Sequence, residues 1–175
     1  GSCLPVTFQN REMIVTGTNA GIVAVDAKDG HLLWQNNFSA RNTANCPTPA
    51  YADGYVFWAN GYGRGGVCLK LKSDGDAVTA EVAWTTKDMD CHHGGYVIHE
   101  GYIYGNDGGA WSCLELTSGK QKWKERAVGK GSLCFADGMF YLFSEGGGQA
   151  GLAACSPAGL ELKGKVKVEG SGPSW

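Results

Sequence analysis

Four times along the chain a pair of turn residues is followed by a short apolar run, a glycine-rich turn and a second apolar run. This recurrence constrains the fold more than any other feature. The first runs are MIVTGT after Asn10, YVFWANG after Gly54, YIYGNDGG after Gly101 and MFYLFSEGG after Gly138. A period of roughly 35 to 50 residues built only of strand and turn signals falls in the window of β-propeller blades. No segment holds apolar spacing at i, i+3, i+4 and i+7, so the expected fold is all-β: four-stranded antiparallel blades, about four of them in this chain.

Each unit reads as four strands. An inner segment such as CPTPAYA or GSLCFA leads into the first run, which ends in a hairpin at Asn19-Ala20-Gly21, Asn60-Gly61, Asn106-Asp107-Gly108 or Glu145-Gly146. Left-handed backbone angles at such tips favour Asn and Gly. Third strands GIVAVD, GVCLKL, SCLEL and GLAAC close at Asp29-Gly30, Asp74-Gly75, Ser118-Gly119 and Ala158-Gly159, and outer strands return. The blades are then expected at 3–40, 44–88, 91–128 and 131–169 of a single propeller segment, 1–175, with 170–175 opening a further inner strand. Trp34, Trp84 and Trp123 recur at one place in the first three outer strands, where a large aromatic can fill the wedge between twisted sheets. The fourth unit has Leu160, Leu162 and Val166 instead, so its outer edge is expected to be the most loosely held.

Composition narrows the partners. With 15 Lys plus Arg against 17 Asp plus Glu there is no excess cation to neutralise phosphates, which argues against nucleic acid. No run approaches the length of a membrane span. Seven cysteines, an odd number, argue against a closed disulfide framework. Cys68 and Cys113 occupy equivalent places, but facing sheets lie about 10 Å apart and a disulfide needs Cα atoms within about 7 Å, so both read as small buried apolar residues.

Ala24-Val25-Asp26-Ala27-Lys28-Asp29-Gly30 followed by Trp34 resembles the tryptophan-docking pattern of the quinoprotein-like β-propeller repeat. That family includes the pyrroloquinoline quinone (PQQ) alcohol dehydrogenases and BamB-type assembly proteins. Cys113 to Gly119 with Trp123 repeats the pattern less closely. Asp26, Gly30, Gly119 and the three tryptophans are therefore expected to be structural. The resemblance implies a periplasmic or exported protein and a ring of more blades than this chain supplies. It is expected to be a partial propeller or, as a homodimer, half of an eight-blade ring. An array of repeats with uncapped ends is prone to such association.

The resemblance covers enzymes and non-catalytic scaffolds alike. Enzyme activity of the PQQ type would need the quinone, a calcium ion and a carboxylate base, a constellation the residues do not assemble. The chain also has neither adjacent cysteines nor a haem attachment run. The expected function is a binding or scaffold module, non-catalytic on its own, that offers its channel mouth to a protein or small-molecule ligand. Part of a quinoprotein dehydrogenase is the alternative.

The sharpest polar constellation is Asp88 to Gly95, in which Cys91, His92 and His93 could hold zinc or copper. Strand alternation leaves Cys91 and His93 on one side, with Cys46 or Cys134 as possible completing ligands. Tyr62 and Arg64 in a glycine-rich tip, with Thr48, Asp90, Lys130 and Ser132 near inner strands, are rim or channel candidates. His31 and His99 read as ordinary turn residues.

Overall fold

The computed structural model describes residues 1–169 and 173; the further inner strand expected at 170–175 lies outside the described residues. Among the described residues sixteen strands form four antiparallel sheets, each a meander of sequential strands. Blade 1 comprises β1 (Leu4–Phe8), β2 (Arg11–Gly17), β3 (Ile22–Asp26) and β4 (Leu32–Asn36). Blade 2 comprises β5 (Ala50–Ala52), β6 (Tyr55–Asn60), β7 (Gly65–Asp74) and β8 (Ala77–Thr86). Blade 3 comprises β9 (Tyr96–His99), β10 (Tyr102–Asp107), β11 (Ala110–Glu115) and β12 (Gln121–Glu125). Blade 4 comprises β13 (Gly131–Ala136), β14 (Met139–Ser144), β15 (Gln149–Ala154) and β16 (Glu161–Lys167). The arc of blades is open. Among the described residues no helix is long and apolar enough to cross a membrane.

Local chemistry explains the meander. The first hairpin of every blade places a left-handed non-glycine residue in its turn: Gln9, Asp53, Glu100 and Asp137 have φ between 48° and 52°. In three of them a positive-φ glycine follows, Gly54, Gly101 or Gly138, the geometry that joins two twisted strands through a two-residue loop. Pro47 and Pro49 cannot donate to a ladder, and β5 is accordingly the shortest strand. Blade 2 is long because β7 and β8 stay paired from Cys68–Trp84 out to Asp74–Ala77.

Three apolar seams hold the blades together. Blade 1 contributes Val6, Met13, Val15, Ile22 and Trp34, which pack against Val56, Trp58, Val67, Leu69 and Leu71 of blade 2. Phe57, Ala59 and Cys68 on the other face of blade 2 meet Tyr96, Ile103, Leu114 and Leu116 of blade 3. Tyr104, Trp111, Cys113 and Trp123 of blade 3 meet Phe140, Leu142 and Ala153 of blade 4. The central sheets are thus buried on both faces, so their strands read as nearly continuous apolar runs such as Val56 to Ala59.

The outer-strand tryptophans lie in these seams. Trp84 Nε1 donates to the Leu116 carbonyl at 2.9 Å, and Trp123 Nε1 to the Ser156 carbonyl at 2.9 Å, each acceptor belonging to the next blade. Trp34 is buried at 6% exposure, yet its Nε1 has no acceptor among the described residues. The physical reason is the long β7–β8 ladder, which in blade 2 replaces the compact turn that offers a carbonyl in blades 3 and 4. Cys68 and Cys113 are buried free thiols, and desolvation pushes both up to about 12.

Candidate functional site

In an antiparallel meander, the turns joining first to second and third to fourth strands emerge at one end of the blade. The second hairpins and the connections to the next blade emerge at the other. Tyr62, Arg64, Asp90, His92, His93 and Lys130 all belong to the second end, on loops from three blades. That shared end is why His92, His93, Lys130 and Tyr62 meet.

At its centre Lys130 Nζ, carried by the connection into blade 4, donates to His92 Nδ1 at 2.9 Å. The same ammonium pairs with Glu145 Oε2 at 2.8 Å, and His93 Nε2 lies 3.5 Å from that carboxylate. The imidazoles of His92 and His93 are 4.5 Å apart, and Tyr62 meets His92 edge-on at 4.7 Å. Backbone bonds brace the cluster: Glu145 N donates to Lys130 O at 2.7 Å, and Leu133 N to Gly94 O at 3.4 Å. Gly94 is required here, since a Cβ on it would stand 1.7 Å from the Gly131 carbonyl oxygen.

The electrostatics are matched internally. Burial first, and then the Lys130 and His93 charges, hold His92 below the ordinary imidazole range. A neutral ring accepting at Nδ1 carries its proton on Nε2. The hydrogen bond from Lys130 holds the Glu145 carboxyl below the usual carboxylate range. Asp90 is similarly engaged: Oδ1 accepts from Gly63 N at 2.9 Å, while its own N–H donates to Asp107 Oδ1 at 2.8 Å. Asp107 in turn pairs with Lys124 at 2.6 Å.

Cys91 does not join the imidazoles. Its thiol points to the Gly95 carbonyl at 3.4 Å within the seam between blades 2 and 3, and burial pushes it up to about 12. Among the described residues the His, Cys, Asp and Glu groups whose ligand atoms converge within 4.8 Å are Asp26, Asp29 and His31, in the β3–β4 turn at the opposite end. Nor does the loop end offer calcium an oxygen cage, because Asp90, Asp107 and Glu145 each already serve a donor. The described residues at the loop end therefore do not fit calcium with a quinone.

The remaining candidates separate. Arg64 lies over the Phe38 ring at 3.9 Å and, with Arg41, Lys87 and Tyr62, lines a polar cleft of about 410 Å³ between blades 1 and 2. Lys87 Nζ donates to the carbonyls of Gly63 and Arg64, and among the described residues no carboxylate lines the cleft. Thr48 Oγ1 accepts from Ser2 N at 3.0 Å, tying the first residues to blade 2. Ser132 lines an apolar cavity on the far face of blade 4 with Cys134 and Tyr141. Glu145, Arg41 and Lys87 escaped sequence reasoning, although each stands on a loop at the same end as the histidines.

Comparison with known proteins places this geometry. The family model described as outer membrane protein assembly factor BamB matches residues 4–125. No sequence among the curated proteins gives a significant match. The structure is similar to BamB from Moraxella catarrhalis, with a TM-score of 0.66 and 13% identity over 96% of this chain and 51% of that one. It is similar to a europium-containing methanol dehydrogenase, TM-score 0.51 and 16% identity, over 71% of this chain and 25% of that one. Apo AztD from Citrobacter koseri gives a TM-score of 0.51 and 12% identity over 98% and 48% of the respective chains. The chain therefore spans about half, or less, of these structures, and at such identities the likeness is one of fold.

Proposed function

Because the chain belongs to the BamB-type PQQ-like propeller family, we propose that it is a binding or scaffold segment of such a propeller, non-catalytic by itself. One observation carries the reading. The polar groups around the two histidines are matched to one another, with Lys130 held between His92 and Glu145 and Asp90 between Gly63 and Asp107. The thiol beside the histidines, Cys91, is a buried neutral group and no ready nucleophile. An exported, periplasmic setting belongs to the same proposal.

The binding surface follows from what is not matched. Arg41 and Arg64 make no ion pair among the described residues, and together with Lys87 they give the cleft between blades 1 and 2 a positive field. The ligand is accordingly an anionic one, an acidic peptide segment or a small carboxylate or phosphate. Two arrangements complete the open arc: further blades, or a second copy in an eight-blade ring.

The deciding experiment adds PQQ and calcium and follows both cofactor absorbance and dye-linked alcohol oxidation. The scaffold reading expects neither to respond, and turnover would move the chain to the dehydrogenases. Titration with inorganic phosphate, read by backbone amide shifts at 41–43 and 61–64, tests the cleft; shifts that vanish in Arg64→Gln support it, and their absence in the wild type refutes it.

A further inference from the structure

The four outer strands can be compared residue by residue through their ladders. In blade 1 Ala24 faces Trp34, in blade 2 Cys68 faces Trp84 and in blade 3 Cys113 faces Trp123, each pair followed by a shift of register. In blade 4 the pair before the same shift is Leu152 with Gly164. Glycine thus stands where the other blades carry an indole. Around it opens an apolar cavity of about 630 Å³, lined by Cys134, Tyr141, Phe143, Leu152, Gly164 and Val166 on the face turned away from blade 3.

The other free face shows the complementary feature. Gly119 in blade 3 has φ +71°, donates its N–H to Glu115 O at 2.8 Å, and carries the indole of Trp84 so closely that a Cβ would lie 2.6 Å from Cε3. Gly30 in blade 1 repeats that turn, with φ +79° and a bond to Asp26 O at 2.9 Å. Ala27 corresponds to Leu116, whose carbonyl accepts from Trp84. At Gly30, among the described residues other than its two chain neighbours, nothing comes within 4 Å of the place a Cβ would take. The turn that receives an indole in blade 3 stands open in blade 1.

We propose that the free face of blade 1 is a receptor for a blade bearing an outer-strand tryptophan, and that this partner is not blade 4 of a second copy. The inference rests on reading the chain as part of a ring. Head-to-tail pairing of two copies would set Gly164 opposite Gly30, leaving the seam without an indole and the Ala27 carbonyl without its donor. A sheet of the same repeat type with tryptophan at the Gly164 position satisfies both, and continues the seam already formed between blades 2 and 3. The BamB structure, of which this chain covers 51%, is long enough to hold such blades.

Sedimentation velocity over micromolar concentrations tests this with wild type, Gly164→Trp and the double variant Gly164→Trp with Gly30→Asn. Wild type should show no two-chain ring. Installing the indole should strengthen two-chain association about tenfold or more. Asparagine tolerates the left-handed backbone while occupying the receiving space, so the double variant should lose that gain. A stable wild-type ring, no gain with Gly164→Trp, or a gain that survives Gly30→Asn overturns the inference. Should Gly164→Trp fail to fold, the wild-type mass decides alone. A wild-type ring would leave the scaffold reading intact, whereas quinone-dependent turnover would overturn that reading without touching the seam.

Discussion

The seam between blades 2 and 3 and the far face of blade 4 derive from one repeat, but the first is closed and the second is open. At the seam Trp84 covers Gly119 and donates to Leu116 O, Cys68 Sγ reaches the same carbonyl at 3.7 Å, and Phe57 meets Tyr96 edge-on at 4.9 Å. On blade 4 Gly164 replaces the tryptophan, Tyr141 is 49% and Val166 62% exposed, and β16 presents Lys163, Lys165 and Lys167. Lysines on an edge strand oppose pairing with another sheet edge, so the strand is protected even though its face is not. The difference teaches that the repeat specifies a strand order, whereas a single aromatic per blade decides how firmly the next blade is held.

The largest way to break the contrast is Trp84→Ala, which should cost about 3 kcal/mol in denaturant unfolding, as large aromatic truncations do. Val166→Ala on the open face should stay within about 0.5 kcal/mol. Equal effects would show that the two regions are not different in kind. The next sharpening compares two glycines of like backbone. Gly30→Ala carries only the left-handed penalty of about 1 to 2 kcal/mol, whereas Gly119→Ala adds a collision with the Trp84 ring and should cost more. Identical losses would remove the indole from the explanation.

A thiol titration gives a simpler measure. Exposed Cys3, Cys46 and Cys134 should react quickly with a disulfide reagent, while Cys68, Cys91 and Cys113, each pushed up to about 12 by burial, should wait for unfolding. Slow labelling of Cys134 in the native chain would mean that blade 4 is covered.

The smallest effect concerns acid. His92 is held below its ordinary range, so the unfolded chain binds this proton more readily, and the stability it contributes fades as pH falls below about 6.5. Glu145 is also held low, so its contribution, present above the ordinary carboxylate range, is lost only as pH falls through its folded value. Both signs agree. Amide protection relative to the intrinsic exchange rate at 92–95 and 130–131 should fall between pH 7 and pH 5, and the His92→Gln variant should show less of that change.

Much of the architecture was legible in the sequence because strands and turns are local. Short apolar runs, Asp53-Gly54 and Asp137-Gly138 turns and recurring tryptophans each announce themselves within a few residues. The candidate site was legible in its residues but not in its pairing. Lys130 and Glu145 meet His92 and His93 from another blade, and only the common end of their loops brings them together. Alternation placed Cys91 beside His93, but the loop turns its thiol into the seam. The substitution at Gly164 was hidden by the bulge after Leu152, which shifts the outer strand so that Leu162 and Val166 flank the tryptophan position without filling it.

Residue-resolved amide hydrogen exchange tests the account most directly, because it reads every seam in one experiment. Protection should be greatest in β6, β7, β10 and β11, whose sheets are covered on both faces, and least in β16. Uniform protection across all four blades, or protection of β16 equal to that of β11, would contradict it.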